Sequence, residues 1–279
     1  MRPMMRIALG VALSAVAATA GAQQPAPSAA GGSAPRPAKR PVIIDAGHGG
    51  AQPGMTARLS GGVSMPEKSI TLGIALKLAD ALRKRGVEVV MTRTTDKTVG
   101  LEERGHIANA ANGVLFVSIH VNAPGDNEPH YSAERGFETY FLDEAKTEDE
   151  RRVAAMENAD VSLDAATTPS GNSPLSFILK DMLQNEYLRE SLDLATTVQQ
   201  ALGPRHPGPD RGVKQANFSV LRNTSMPAIL IETGFGTNVK EAEWLASYSG
   251  QQTLANVIAD ATVEYLKGRE RRVNAGQQR

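Results

Sequence analysis

Val42-Ile43-Ile44-Asp45-Ala46-Gly47-His48-Gly49-Gly50 carries an apolar run straight into a histidine bracketed by glycines. A short apolar run of this kind reads as a parallel strand buried on both faces. The glycines after it read as a tight turn that presents His48 at the strand's carboxyl end. A lone histidine would pass for an ordinary core residue, but the pattern recurs. Phe116-Val117-Ser118-Ile119 runs into His120-Val121-Asn122-Ala123, and Ala228-Ile229-Leu230-Ile231 runs into Glu232-Thr233-Gly234-Phe235.

In an open α/β sheet the strands' carboxyl ends share one edge, so three such runs bring two imidazoles and a carboxylate together. Glu67 is a fourth candidate. It follows the loop Gly61-Gly62-Val63-Ser64-Met65-Pro66 and opens a helix whose stripe of Ile70, Ile74, Leu78 and Leu82 packs on the sheet before Gly86 ends it. The helix dipole alone would also favour a carboxylate there. Two histidines and a carboxylate form a ligand set for a catalytic zinc with one open position. A second carboxylate beside the ion can take a proton from the water that the ion acidifies.

These residues give the chain a family likeness. It resembles the zinc-dependent N-acetylmuramoyl-L-alanine amidases of bacterial cell-wall metabolism over roughly residues 41–267. The likeness rests on separated motifs: Ile44-Asp45-Ala46-Gly47-His48-Gly49-Gly50, Pro66-Glu67-Lys68, Met91-Thr92-Arg93, Ser118-Ile119-His120-Val121-Asn122-Ala123, Asn217-Phe218-Ser219-Val220-Leu221-Arg222 and Pro227-Ala228-Ile229-Leu230-Ile231-Glu232-Thr233-Gly234-Phe235. The resemblance implies that His48, Glu67 and His120 bind Zn2+ and that Glu232 is the catalytic carboxylate. It also implies a substrate, the amide between N-acetylmuramic acid and L-alanine in peptidoglycan, cut during wall remodelling or daughter-cell separation. Ala46, where the family usually has proline, and Ser69 depart from the pattern without touching a ligand.

The expected fold is a single α/β domain, a twisted and mostly parallel sheet flanked by helices, with a helical insertion near the active edge. Met1 to Ala22 has Arg2 and Arg6, an apolar stretch and the small residues Ala20-Gly21-Ala22, which reads as a signal peptide cleaved after Ala22, the alternative being an uncleaved amino-terminal anchor. Export to the periplasm or beyond follows, with no stable membrane span once the signal is removed. Residues 23–40, rich in Pro, Ala, Gly and Ser, read as a disordered linker. The catalytic domain takes 41–267, and 268–279 reads as a flexible polar tail. The 30 basic and 30 acidic side chains balance, and aromatics are 4% of the chain, which gives no case for nucleic-acid binding and argues against a base-stacking surface. There is no cysteine to bridge in an oxidising compartment.

Within the domain, Val87 to Thr92, Val114 to Ile119 and Phe137 to Leu142 read as strands, the last as an outer one. Arg211 to Lys214 and Asn217 to Arg222 lead into an edge strand. Leu101 to Ala111, Leu192 to Leu202, Lys240 to Tyr248 and Gln251 to Lys267 read as helices. Residues 143–185 form a long excursion, charged around Glu148-Asp149-Glu150-Arg151-Arg152 and helical again from Leu175. Excursions of this length are commonly lids or partner surfaces. In the related division amidases a helix inserted here covers the zinc until an activator displaces it; on that resemblance the segment is expected to be an autoinhibitory cap with an acidic side chain reaching the metal, the alternative being a solvated helical hairpin. Arg93, Arg104 and Asn109 either shape a cleft or hold loops, with the loop-holding role favoured for Arg104. His106 reads as structural or solvated, His130 as a weaker ligand candidate than His120, and His206 as incidental. The rival functions are another exported zinc peptidase or deacetylase, and a catalytically silent peptidoglycan-binding module. No Gly-x-Ser-x-Gly elbow or His-Glu-x-x-His helix is present to support other hydrolytic chemistry.

Overall fold

The computed structural model describes residues 40–125, 132–159 and 174–276, with the side chains of 174–183 left out. The expected signal peptide, nearly all of the linker, His130 and the final three residues lie outside the described residues.

Six strands form one sheet. β1 (Val42–Ala46), β4 (Val89–Met91), β5 (Leu115–Asn122) and β8 (Ala228–Phe235) run parallel in the order β4-β1-β5-β8. β6 (Phe137–Leu142) pairs antiparallel with β8, and β7 (Asp210–Ala216) runs parallel to β6 at the far edge. The mostly parallel α/β reading therefore stands. A small hairpin of β2 (Thr56–Arg58) and β3 (Ser64–Pro66) precedes the first helix and was not legible, being three residues per strand.

Every residue of β1, β5 and β8 is buried. Strand side chains alternate faces, so each strand feeds two cores. On one face Val42, Ile44, Val117, Ile119, Ile229 and Ile231 pack with α1 (Glu67–Lys84), α4 (Pro174–Leu202), α6 (Val239–Ala246) and α7 (Tyr248–Gly276). On the other, Ile43, Phe116, Tyr140 and Leu230 meet α2 (Leu101–Ala110), α3 (Glu148–Asn158) and α5 (Ser219–Arg222). By the same alternation Asp45, Ser118, His120 and Glu232 point to this second face, so the side on which α3 lies is also the side to which the polar residues point.

Three expectations change. β6 is not an outer strand, because β7 covers its free edge. Asn217 to Arg222 does not lead into a strand: Ser219–Arg222 turns as a short helix, and the edge strand is β7 itself. The helix that returns at Leu175 continues through 192–202 as expected, forming α4, since no glycine or proline interrupts Leu175 to Leu202. The tail is helical to Gly276, and Arg269 Nε reaches Glu190 Oε1 of α4 at 2.8 Å, which gives the polar last turns a partner.

Candidate metal centre

β1 ends in a turn that the chain braces from below. Asp45 is fully buried and accepts hydrogen bonds from Thr92 Oγ1 (2.6 Å), Ser118 Oγ (2.7 Å) and Arg104 Nη1 (2.7 Å). Burial alone would raise its pKa, but the Arg104 charge and the two hydroxyls outweigh it and hold the carboxyl below its usual range. Arg104 also donates to the carbonyls of Ala46 (2.7 Å) and His48 (2.9 Å). Arg93 donates to those of Ala46 (2.8 Å), Gly47 (2.8 Å) and Lys68 (2.9 Å). Both arginines are buried at 1% exposure, and their hydrogen bonds fix the turn. Asn109 likewise holds a loop, donating to Asn223 O and accepting from Ser225 N.

His48 leaves this turn with φ of 57°, a left-handed conformation uncommon for a residue with a side chain. His120 comes from the end of β5, paired in register with Glu232 on β8. Its ring lies over Gly47, where a Cβ would stand 2.5 Å from the imidazole, so only glycine leaves the space. Glu67 opens α1, fully buried, and accepts from the backbone amides of Met55 (3.0 Å) and Val121 (2.8 Å).

The three side chains converge. His48 Nε2 is 3.1 Å from Glu67 Oε2, and His120 Nδ1 is 3.3 Å from Glu67 Oε1. A fourth side chain joins them: Glu157 of α3 places Oε2 3.2 Å from His48 Nε2 and 2.7 Å from His120 Nδ1. One donor atom from each of His48, Glu67, His120 and Glu157 lies within 4.8 Å of the others, and all four residues are buried. Ligands at about 2.0–2.2 Å from a tetrahedral ion stand at this order of spacing. Among the described residues neither His120 Nδ1 nor either Glu157 oxygen makes a hydrogen bond of proper geometry, and both oxygens of fully buried Glu232 also lack one.

Three buried carboxylates with so few donors call for positive charge. The field shows it. Burial works against protonating His120, yet the Glu157 and Glu67 charges push its pKa up to about 10. Burial, then the charge of Glu157, drives Glu232 well above the usual carboxylate range. Glu67 goes the other way: burial is outweighed by attraction from His48 and His120, and its carboxyl stays ionised. A divalent cation at the meeting point of these donors fits the residues present.

A family model for N-acetylmuramoyl-L-alanine amidase matches residues 42–264. The chain belongs to the N-acetylmuramoyl-L-alanine amidase family. It is 30% identical over 230 residues to the N-acetylmuramoyl-L-alanine amidase AmiA of Escherichia coli (strain K12), a match covering 82% of this chain and 76% of that one. Against the amidase AmiC of Neisseria meningitidis serogroup B the identity is 35%, covering 83% of this chain and 54% of the other. The crystal structure of the N-acetylmuramoyl-L-alanine amidase from Clostridium difficile 630 superposes with a TM-score of 0.60 at 30% identity, covering 82% of this chain and 97% of that one.

In this amidase the expected residues His48, Glu67 and His120 come together, and Glu232 lies beside them in register with His120. Glu157 was foreseen only as an unspecified acid of the insertion. Its signal was in the sequence: Glu150, Val153, Ala154 and Glu157 share the buried face of α3 at helical spacing. His206 is not incidental. It is buried, accepts from Gly208 N at Nδ1 (2.9 Å) and donates from Nε2 to Thr233 O (2.9 Å), next to Glu232 in the chain. His106 is exposed, as expected.

Proposed function

We propose that this amidase hydrolyses the amide joining the lactyl group of N-acetylmuramic acid to the L-alanine of the peptidoglycan stem, with Zn2+ held by His48, Glu67 and His120. The observation that carries the reading is the meeting of these three donors around one point with the unpartnered Glu232 carboxylate alongside. When bound, zinc supplies Lewis acidity that polarises a carbonyl oxygen and acidifies water. His48 and His120 enter from two neighbouring strand ends and Glu67 from a helix start, which fixes their directions. Glu232 takes the proton of the attacking water and delivers it to the departing alanine nitrogen. Its burial suits that role, since a carboxylate in an apolar setting gains basicity.

Glu157 stands where a substrate carbonyl would have to approach. We read α3 as the cap of the insertion, at rest over the site. Besides Val153 and Ala154 in the second core, its anchors are polar contacts that can be exchanged: Lys214 Nζ reaches Asp149 at 2.8 Å, Arg152 donates to Ala123 O at 2.6 Å, and Asn158 bonds Asn217 O and Ser219 N. An activator protein engaging residues 143–185 would free the site. The leader at 1–22 supports export to the periplasm, where the substrate is, and no helix among the described residues is long and apolar enough to cross a membrane.

The test is digestion of purified sacculi by zinc-loaded protein, followed by mass analysis. Free stem peptides beginning with L-alanine, beside intact glycan strands, are the expected products. Glu232→Gln should keep its zinc and lose turnover by about 10²–10⁴-fold. Zinc-loaded protein that releases no such peptides, with the cap residue Glu157 also removed, sinks the reading.

A further inference from the structure

The turn after His48 carries a side chain that the catalytic scheme leaves unused. Gly49 and Gln52 pair across it, amide to carbonyl in both directions at 2.9 and 3.0 Å. The two residues between are tied down as well, Gly50 N to Asp96 Oδ1 (2.7 Å) and Ala51 N to Thr98 Oγ1 (2.9 Å). Gln52 is therefore held on a rigid loop. Its side chain turns inward, 5% exposed, and lines the same small cavity as His48, His120 and Glu157.

Within that cavity the Gln52 Nε2 amide is buried and makes no hydrogen bond among the described residues. A buried carboxamide without an acceptor costs stability, and such groups in folded proteins call for an explanation. Structural bracing does not supply one, because there is no bond to brace. Of the remaining groups of the cavity wall, the Asp45 carboxylate already accepts from Thr92, Ser118 and Arg104, the Arg104 guanidinium is itself a donor, and Leu101 and Val220 are apolar. The cavity is only about 10 Å³ with α3 in place, too small for more than one water.

We propose that Gln52 is a substrate-contacting residue: once α3 has moved, its Nε2 donates a hydrogen bond to a carbonyl oxygen of the substrate bound beside the metal. The assignment rests on the amidase reading above. It adds a neutral donor to a wall otherwise rich in carboxylates, which would repel an oxygen with growing negative charge.

The experiment compares Gln52→Leu and Gln52→Glu with the wild type, in the full chain and also with Glu157→Ala to open the site. For each, kcat and KM are measured on a soluble muropeptide, together with melting temperature and zinc content. Gln52→Leu should lower kcat/KM by about tenfold, the worth of one hydrogen bond to a reacting oxygen. Its melting temperature should equal or exceed that of the wild type, with zinc content unchanged. Gln52→Glu keeps the shape but cannot donate, and should lose at least as much activity. An active wild type with kcat/KM unchanged in Gln52→Leu overturns the assignment alone. So does a Leu variant that loses activity and melting temperature together, or a Glu variant as fast as the wild type. A wild type that cuts no muropeptide in either background sinks the amidase reading and this assignment with it.

Discussion

Glu157 Oε2 stands 2.7 Å from His120 Nδ1 and 3.2 Å from His48 Nε2, so a side chain carried by the inserted helix shares the space between the two imidazoles. The rest of α3 is held to the domain by Val153 and Ala154 in the second core and by charged and polar side chains along its length. The buried glutamate is the contact that couples its position to the site.

Glu157→Ala removes that contact and leaves the other three donors in place. Basal release of stem peptides should rise by about tenfold, equivalent to about 1.4 kcal/mol in the balance between covered and open states. Zinc content should be unchanged. A folded variant working at the wild-type rate shows that α3 does not restrain the enzyme.

The Asp45–Arg104 pair is buried on both sides at 2.7 Å. Asp45→Asn leaves the Arg104 charge under the His48 turn without its counter-ion and should cost about 3–5 kcal/mol. The pair also sets an acid limit. Because the folded pKa of Asp45 is depressed, its contribution is complete above the unfolded value of about 4 and is lost as pH falls through the folded pKa. Urea titrations at pH 7 and pH 3 check this: the variant should show a shallower loss on acidification than the wild type.

His206 gives a second pH dependence at milder acidity. Burial depresses its pKa below 6.5, against the pull of the Thr233 and Gly208 carbonyls. The fold uses the neutral ring, since Gly208 N donates to Nδ1. Below about pH 6.5 the unfolded chain binds the proton that the folded one resists, so stability falls as pH drops through that value. His206→Leu should lose about 1–3 kcal/mol at pH 8 from the orphaned amide and carbonyl. It should also lose the slope between pH 8 and 5.5, and a slope equal to the wild type's would assign the titration elsewhere.

The strands that hold the site were readable because each is an apolar run ending in one chemical group: Ile44 before the His48 turn, Ile119 before His120, Ile231 before Glu232. Two-sided burial leaves that signature without help from neighbours. What escaped depends on tertiary context. The β2–β3 hairpin is too short for a periodic signal, and β7 is an edge strand whose exposed and half-buried positions do not alternate cleanly. α7 outlasts its apolar stripe because Arg269 finds Glu190 on another helix. In sequence Arg93 could shape a cleft or hold a loop and Arg104 is the better loop-holder; burial under the first turn assigns both to the scaffold. Glu157 lay in plain view on an amphipathic face, but nothing local marked it above Glu148 or Glu150.

Two positions with nothing to offer chemically govern whether the centre can exist. A methyl group on Gly47 would occupy the His120 ring, and one on Gly54 would stand 2.4 Å from Glu67 Oε2. A survey of tolerated substitutions should therefore rank these glycines with the ligands themselves, although neither has an atom that could touch the ion. Their contribution is emptiness of the right shape.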